Sequence, residues 1–109
     1  MKQLLTLCGI VILAGCATAI PFPTDNDTSF AQQRWPHTAR TDLHAGRKLY
    51  IDKCSGCHSA KPPALYSEKK WNEILPEMNE KAKLQNNEAE LLKKYLITMT
   101  NHYSSNTSN

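Results

Sequence analysis

Residues 54–58 read Cys-Ser-Gly-Cys-His, and the organisation of the 109-residue chain follows from them. Two cysteines separated by two residues and followed at once by a histidine form the attachment signature of a c-type haem. One short turn then presents both sulfurs to the haem vinyl groups as thioethers and leaves the histidine beneath the iron. The stretch predicts one covalently bound haem c, held by Cys54 and Cys57, with His58 as the proximal iron ligand.

Two other chemistries use cysteines at this spacing, and the surroundings favour neither. A thiol redox motif normally belongs to a βαβ pattern, which the sequence does not show. A structural zinc site needs further ligands, and no second cysteine pair is available to complete one. An export signal at the start of the chain also directs it to an oxidising compartment, which agrees with haem attachment.

Residues 1–15 have the pattern of a lipoprotein signal peptide. Lys2 precedes an apolar run over residues 4–12 that is too short to span a bilayer. The run ends in Leu-Ala-Gly before Cys16, which resembles the lipobox of bacterial lipoproteins. This resemblance implies diacylglycerol on the Cys16 sulfur, cleavage before Cys16 and an acyl chain such as palmitate on the new N-terminus. The alternative is an ordinary secretory signal with an incidental cysteine.

The anchor predicts a location. Several acyl chains hold a protein stably on a membrane. By resemblance to lipoprotein sorting in Gram-negative bacteria, Ala17 in place of an aspartate favours the outer membrane. We therefore expect the chain on the periplasmic side of the bacterial envelope, anchored through Cys16.

Composition narrows the function classes. The formal net charge is +3, and basic residues are interspersed with acidic ones, so the composition does not indicate a nucleic-acid-binding surface. No pair of carboxylates and no nucleophile with a neighbouring base suggests an enzyme. Cys8 lies in the signal peptide and the other three cysteines are assigned to the lipid anchor and the haem, so none remains for a disulfide. We expect the haem to supply the buried apolar surface that so short a domain lacks.

Residues 16–40 are predicted to be a lipid anchor followed by a flexible tether. They are rich in Pro, Thr, Asp and Asn, show no periodicity, and contain the breakers Pro21 and Pro23. A flexible chain of that length spans about 25–30 Å root-mean-square. Trp35 is the exception, because a large aromatic in a polar linker is more often a packing anchor than a docking site.

Residues 41–100 are predicted to form an all-α domain around the haem. A first helix begins at Thr41 or Asp42 and carries Gly46, which we expect to let the last helix approach closely. After the haem motif, residues 61–64 read Lys-Pro-Pro-Ala and must turn the chain without a helix. A carbonyl of this loop is a candidate acceptor for the Nδ1–H of His58, with plain loop chemistry as the alternative.

Ser67 is predicted to cap the next helix. The apolar residues on one face of that helix are Trp71, Ile74, Leu75 and Met78. Pro76 removes a backbone donor, so a kink or split is expected near Leu75.

Asn87 and Glu90 resemble a capping box that opens the last helix. The apolar stripe of that helix contains Leu91, Leu92, Tyr95, Leu96 and Met99. Residues 101–109 are polar and are predicted to be a disordered tail.

Met78 is the candidate for the second axial position of the iron. A thioether is a soft, neutral ligand that raises the potential of a histidine-ligated haem. A methionine on an apolar helical face usually just fills the core. Met99, His102 or His44 are alternative ligands, and an open position is a further alternative.

Residues 42–99 resemble a very short class I cytochrome c. The resemblance runs through residues 46–50, the haem motif, the methionine at 78 and the closing helix. In that family the first and last helices cross near a glycine and an aromatic, which Gly46 and Tyr95 match. A methionine shortly before the last helix ligates the iron there, which implies this role for Met78. The segment from His58 to Met78 is shorter than the family usually has.

The spacing of Trp71 and Met78 also resembles that of small bacterial haem proteins. Together these resemblances imply electron transfer by a lipid-anchored periplasmic monohaem cytochrome, monomeric or in transient complexes with other redox proteins of the envelope. Four lysines close in sequence to the haem motif would steer an acidic partner, or are ordinary solvated surface. They are Lys53, Lys61, Lys69 and Lys70. The competing functions are a sensor or binder of small diatomic ligands and a haem relay subunit of a larger envelope redox complex.

Overall fold

A computed structural model describes residues 20–54 and 60–107 of the chain, and within these ranges it contains four α-helices and no strand. The helices are α1 (Asp25–Gln32), α2 (Arg40–Leu49), α3 (Glu68–Lys81) and α4 (Asn86–Thr107). A π-helical turn over Tyr50–Cys54 continues α2, and a 3-10 turn over Pro63–Leu65 precedes α3. The predicted all-α class is confirmed. No helix in the described ranges is both long and apolar enough to cross a membrane.

Helix α2 begins earlier than the sequence predicted. Ala39 is the residue before its first turn, and the carboxylate of Asp42 accepts the backbone N–H of Ala39 at 2.8 Å. Asp42 therefore satisfies an orphan donor from the third helical position, where its charge also suits the positive end of the helix dipole.

The crossing of α2 and α4 is the most extensive helix contact in the described part of the chain. A methyl group on Gly46 would lie 2.7 Å from Cβ of Tyr95 and closer still to the carbonyl oxygen of Leu91. Only a glycine lets the two backbones approach so closely. Leu43 and Tyr95 are fully buried at this crossing, so the predicted meeting of Gly46 with an aromatic of the last helix is confirmed.

Helix α3 carries the apolar face that the sequence predicted. The Ser67 hydroxyl accepts the N–H of Lys70 at 3.2 Å, which confirms the cap. Trp71 and Leu75 are buried in the core. Ile74 and Met78 pack against that core while remaining half-buried.

Of the predicted kink or split near Leu75, the split is wrong, because the helix runs through Pro76 without a break; the kink stays a prediction. Proline deprives the carbonyl four residues earlier, on Asn72, of its helical donor. Both residues are exposed, so water can satisfy that carbonyl and the packed inner face is undisturbed.

Two aromatic donors hold the proline loop before α3. The Trp71 indole donates to the carbonyl of Pro63 at 2.8 Å, and the Tyr50 hydroxyl donates to the carbonyl of Lys61 at 2.6 Å. The Tyr50 ring meets the Trp71 ring edge-on, with centroids 5.9 Å apart. Burial raises the pKa of Tyr50 to about 12, so its hydroxyl remains a donor. The chain turns here through the 3-10 turn, where proline at the first position needs no N–H.

The structure differs from the flexible tether predicted over residues 16–40, because α1 lies within that segment. The Thr24 hydroxyl accepts the N–H of Asp27 at 3.2 Å, and the Asp27 carboxylate accepts the N–H of Thr24 at 2.7 Å. This reciprocal pair is a capping box with aspartate in the place of glutamate. Residues 1–19, including the predicted signal peptide and Cys16, lie outside the described residues.

Helix α1 packs against α4. Asp27 is 2% exposed and contacts Nδ1 of His102, whose ring stacks on Phe30 with centroids 4.9 Å apart. The Tyr95 hydroxyl also donates to the carbonyl of Pro21 at 2.6 Å. These contacts to α4 order a segment whose own sequence shows no periodicity. Trp35 packs half-buried against the core, as predicted.

The two ends of α4 also differ from the predictions. The helix starts at Asn86, and Glu88 accepts the N–H of Gln85 at 3.0 Å, so the capping pair lies two residues before Asn87 and Glu90. The helix continues to Thr107, where a disordered tail from residue 101 was predicted.

Glu68, the first residue of α3, ties the end of α4 to the segment after α1. The amide of Asn101 donates to Glu68 at 2.7 Å, and Arg34 forms an ion pair with the same carboxylate. The hydrogen bond from Asn101, and to a lesser extent the one from Arg34, holds the pKa of Glu68 below its ordinary value. The extension of α4 is thus stabilised by side chains far away in the sequence.

Candidate haem site

Cys54 ends the π-helical turn that continues α2. Because α2 is packed tightly on α4, the position of this cysteine is fixed by the core of the domain. The side chain is half-buried, and burial raises the pKa of its thiol. A neutral thiol, or the thioether that would replace it, therefore suits this position better than a thiolate. Residues 55–59, which include Cys57 and His58, lie outside the described residues.

A cavity of about 350 Å³ opens beside Cys54. One wall comes from the turn after α2 and the other from the C-terminal half of α3. The residues lining it are Lys53, Cys54, Ile74, Glu77, Met78, Lys81 and Ala82. The structure thus brings Cys54 and Met78, which are 24 positions apart in the sequence, to the walls of one cavity.

The lining fits a c-type haem in its chemistry. Ile74, Met78 and Ala82 offer apolar surface to a flat macrocycle, and a methionine sulfur is a soft ligand of the kind that iron accepts. Lys53 is exposed at the cavity and supplies a cation for carboxylates. The residues present therefore suit the group that the Cys-x-x-Cys-His motif predicts.

Glu77 and Lys81 form an ion pair at the rim of this cavity, with 2.8 Å between Oε1 and Nζ. The hydrogen bond from Lys81 holds the pKa of Glu77 below its usual value. Sequence reasoning did not single out this pair. Its signal was the i, i+4 spacing of opposite charges on the helix that carries Met78.

The alternative ligands considered from the sequence are engaged elsewhere. Met99 is fully buried and lines a different cavity. His102 contacts Asp27 and Phe30, and the His44 ring lies 6.3 Å from that of Phe22. None of these three residues lines the cavity beside Cys54. The described geometry favours Met78 among the candidates.

The predicted lysines do not form one cluster at the cavity. All four are exposed, and only Lys53 of them is among the residues that line it. Lys70 lies 3.8 Å from the carboxylate of Glu73. The carbonyls of Lys61 and Pro63 already accept hydrogen bonds from aromatic side chains. A role for this loop as acceptor for His58 stays a prediction.

Comparison with known proteins identifies the family. Residues 50–109 match the family model for dihaem cytochrome c. No curated protein and no solved structure matches the chain. Membership of this family implies covalently bound haem c. The family description names two haems, so the match does not support the predicted count of one. The sequence itself contains a single Cys-x-x-Cys-His set. Because the match covers more than half of the chain, the protein belongs to the dihaem cytochrome c family, whose chemistry is electron transfer by haem.

Proposed function

We propose that this chain is a lipid-anchored cytochrome that carries one haem c and passes single electrons between redox proteins of the bacterial envelope. Cys54 and Cys57 would hold the haem, and His58 and Met78 would ligate its iron. The observation that carries this proposal is the cavity that Cys54 and Met78 share. The bound haem would supply the one-electron couple of its iron, and the side chains around it would tune the reduction potential.

Each part of the cavity lining has a task in this proposal. The neutral sulfur of Met78 favours the reduced state and so raises the reduction potential. Ile74 and Ala82 would shield the macrocycle from water. Lys53 would offset the negative charge of the propionates and favour an acidic partner, in a contact that salt weakens.

The proposed count of one haem rests on the single attachment motif. A second haem c would need a second pair of cysteines with a histidine, and the remaining cysteines, Cys8 and Cys16, do not provide one. The ratio of haem to protein in the purified chain, from absorption and intact mass, tests this count. A ratio of two would contradict it and restore the arrangement that the family description names.

The proposed location rests on the lipobox-like sequence before Cys16. We infer an acylated Cys16 on the periplasmic side of the outer membrane, and a carrier rather than an enzyme, monomeric apart from transient complexes. Peptide mass spectrometry of the membrane-bound protein tests the anchor. An unmodified cysteine, or a chain released by salt alone, would contradict it.

The axial ligands are tested by absorption spectra of the oxidised and reduced protein, with and without carbon monoxide. Ligation by histidine and methionine gives a weak absorption band at about 700 nm in the oxidised form and prevents carbon monoxide from binding to the reduced iron. We expect that band and no reaction with the gas. Ready binding of carbon monoxide would favour a binder of small diatomic ligands. Stable co-purification with a dehydrogenase or oxidase would favour a relay subunit instead.

A further inference from the structure

Three large apolar side chains are exposed on the described surface: Phe22, Leu65 and Tyr103, at 65, 58 and 41% exposure. Single exposed hydrophobic residues are ordinary, but a contiguous group marks an interaction surface. These three belong to segments that are distant in the sequence. Their common position in the fold therefore decides whether they form one surface.

One groove lies within one residue, along the chain, of each of the three. It has a volume of about 240 Å³ and is lined by Pro21, Pro62, Pro63, Ala64, Met99 and Tyr103. Phe22 directly follows Pro21, and Leu65 directly follows Ala64. We call Phe22, Leu65 and Tyr103 the apolar rim, since Tyr103 lines this groove and the other two directly follow residues that line it.

The chain enters the fold beside this groove. The carbonyl of Ile20 accepts a hydrogen bond from Nε of Arg47 at 3.0 Å, and the carbonyl of Pro21 accepts one from Tyr95 at 2.6 Å. The chain is thus fixed to α2 and α4 from Ile20 onward. Only residues 17–19 separate Ile20 from Cys16. Whatever the conformation of these three residues, the Cα atoms of Cys16 and Ile20 cannot lie more than about 14 Å apart. This distance is half the reach predicted for a flexible tether.

We propose that the apolar rim rests on the lipid surface that holds acylated Cys16, so that the anchored domain keeps one face towards the bilayer. This inference rests on the proposed anchor and adds a second membrane contact to it. Aromatic and aliphatic side chains beside a lipid anchor favour the interfacial region of a bilayer. The Arg47 guanidinium lies 3.6 Å from the centre of the Phe22 ring, where a cation suits the phosphates of anionic lipids.

The same contact orients the haem site. Leu65 comes just before the start of α3, whereas Met78 lies ten residues beyond Glu68, its first residue. Ten residues of α-helix extend about 15 Å. The end of α3 that lines the Cys54 cavity therefore lies about 15 Å along the helix from the end next to Leu65, so the cavity and the apolar rim occupy different parts of the surface.

The test separates the rim from the tether by lengthening the tether. The full-length lipidated holoprotein, with about ten Gly and Ser residues inserted after Ala17, gains a flexible reach of roughly 17–19 Å. It is reconstituted in vesicles of phosphatidylethanolamine and phosphatidylglycerol that carry a fluorescent headgroup, which a nearby haem quenches. We expect the lengthened protein to quench as strongly as the native one. Adding Phe22→Ser, Leu65→Ser and Tyr103→Ser should abolish most of that quenching.

A matched control carries Asn72→Ser and Glu80→Gln, two exposed positions on α3 outside the rim, and should quench like the lengthened protein. Absorption and circular dichroism spectra verify that each variant is folded. If the triple variant is not folded, Leu65→Ser alone is tested in its place. Loss of quenching on lengthening alone would overturn the rim contact. Absence of acyl groups on Cys16, seen by mass spectrometry, would overturn the anchor and this inference with it. Acylated protein without rim-dependent quenching would overturn this inference alone.

Discussion

Replacing Gly46 by alanine tests the helix crossing on which the fold depends, because two effects of opposite sign compete there. Alanine is the better helix former by about 1 kcal/mol. The added methyl group, however, would lie 2.7 Å from Cβ of Tyr95 and closer to the carbonyl oxygen of Leu91. Neither atom is the end of a flexible side chain, so α4 itself must move. Overpacking of this kind costs about 1–3 kcal/mol, and more where backbone has to shift.

The need to move backbone places this clash at the upper end of that range, so we expect Gly46→Ala to destabilise the domain by about 2 kcal/mol after the gain in helix propensity is subtracted. In a domain of this size that lowers the melting temperature by roughly 4–8 °C per kcal/mol. Urea unfolding of the holoprotein, followed by circular dichroism, measures the change. Ala45→Gly, next to it in α2, is the matched control and should cost about 1 kcal/mol through propensity alone. If Gly46→Ala instead stabilised the protein by that amount, the close crossing would be refuted.

Three further predictions concern stability. Thr24→Ala removes the hydroxyl that caps α1 and should lower the free energy of unfolding by about 1 kcal/mol. It should speed amide hydrogen exchange in α1 but not in α2, and unchanged exchange in α1 would contradict the cap. Trp71→Phe leaves the buried carbonyl of Pro63 without its donor and should cost about 1–3 kcal/mol in urea unfolding, and no loss would contradict that hydrogen bond. Glu68 has a folded-state pKa below its ordinary value of 4.5, so its stabilisation is complete above that pH and is lost as the pH falls through the folded-state pKa. The difference in unfolding free energy between the native protein and Glu68→Gln should shrink on acidification below about 4.5, and a constant difference would contradict the assignment.

The helices around the haem motif could be predicted because their signals are local. Ser67 is a capping residue directly before an apolar face, and α3 begins after it. Gly46 is an unfavourable residue inside a helical pattern, which indicates a close approach by another backbone. That approach is indeed the packing on Tyr95.

The first helix could not be predicted from periodicity, because contacts with α4 order it. Asp27 would be a costly residue to bury alone, yet it accepts two hydrogen bonds from Thr24 and contacts His102. The four residues from Thr24 to Asp27 do contain a capping-box signal, which the neighbouring prolines obscured. The contact of Asp27 with His102, together with the hydrogen bond from Asn101 to Glu68, also stabilises the continuation of α4 past residue 101.

The candidate site was predictable in part. The haem motif and the choice of Met78 come from the sequence and from the resemblance to class I cytochrome c, and the structure adds that Cys54 and Met78 line one cavity. The ion pair of Glu77 and Lys81 was missed, since charged pairs at this spacing occur on many solvated helices. Preferring Met78 to Met99 required tertiary structure, because only packing shows that Met99 is fully buried and lines a different cavity.

The most direct test of the proposed site compares Met78→Leu with Met99→Leu in the oxidised holoprotein. Both changes remove a sulfur and nearly preserve volume, so their effects on packing are small and similar. If Met78 ligates the iron, the band near about 700 nm disappears and the reduced protein binds carbon monoxide only in Met78→Leu. A band that survives in Met78→Leu, or disappears in Met99→Leu, would contradict the assignment of Met78.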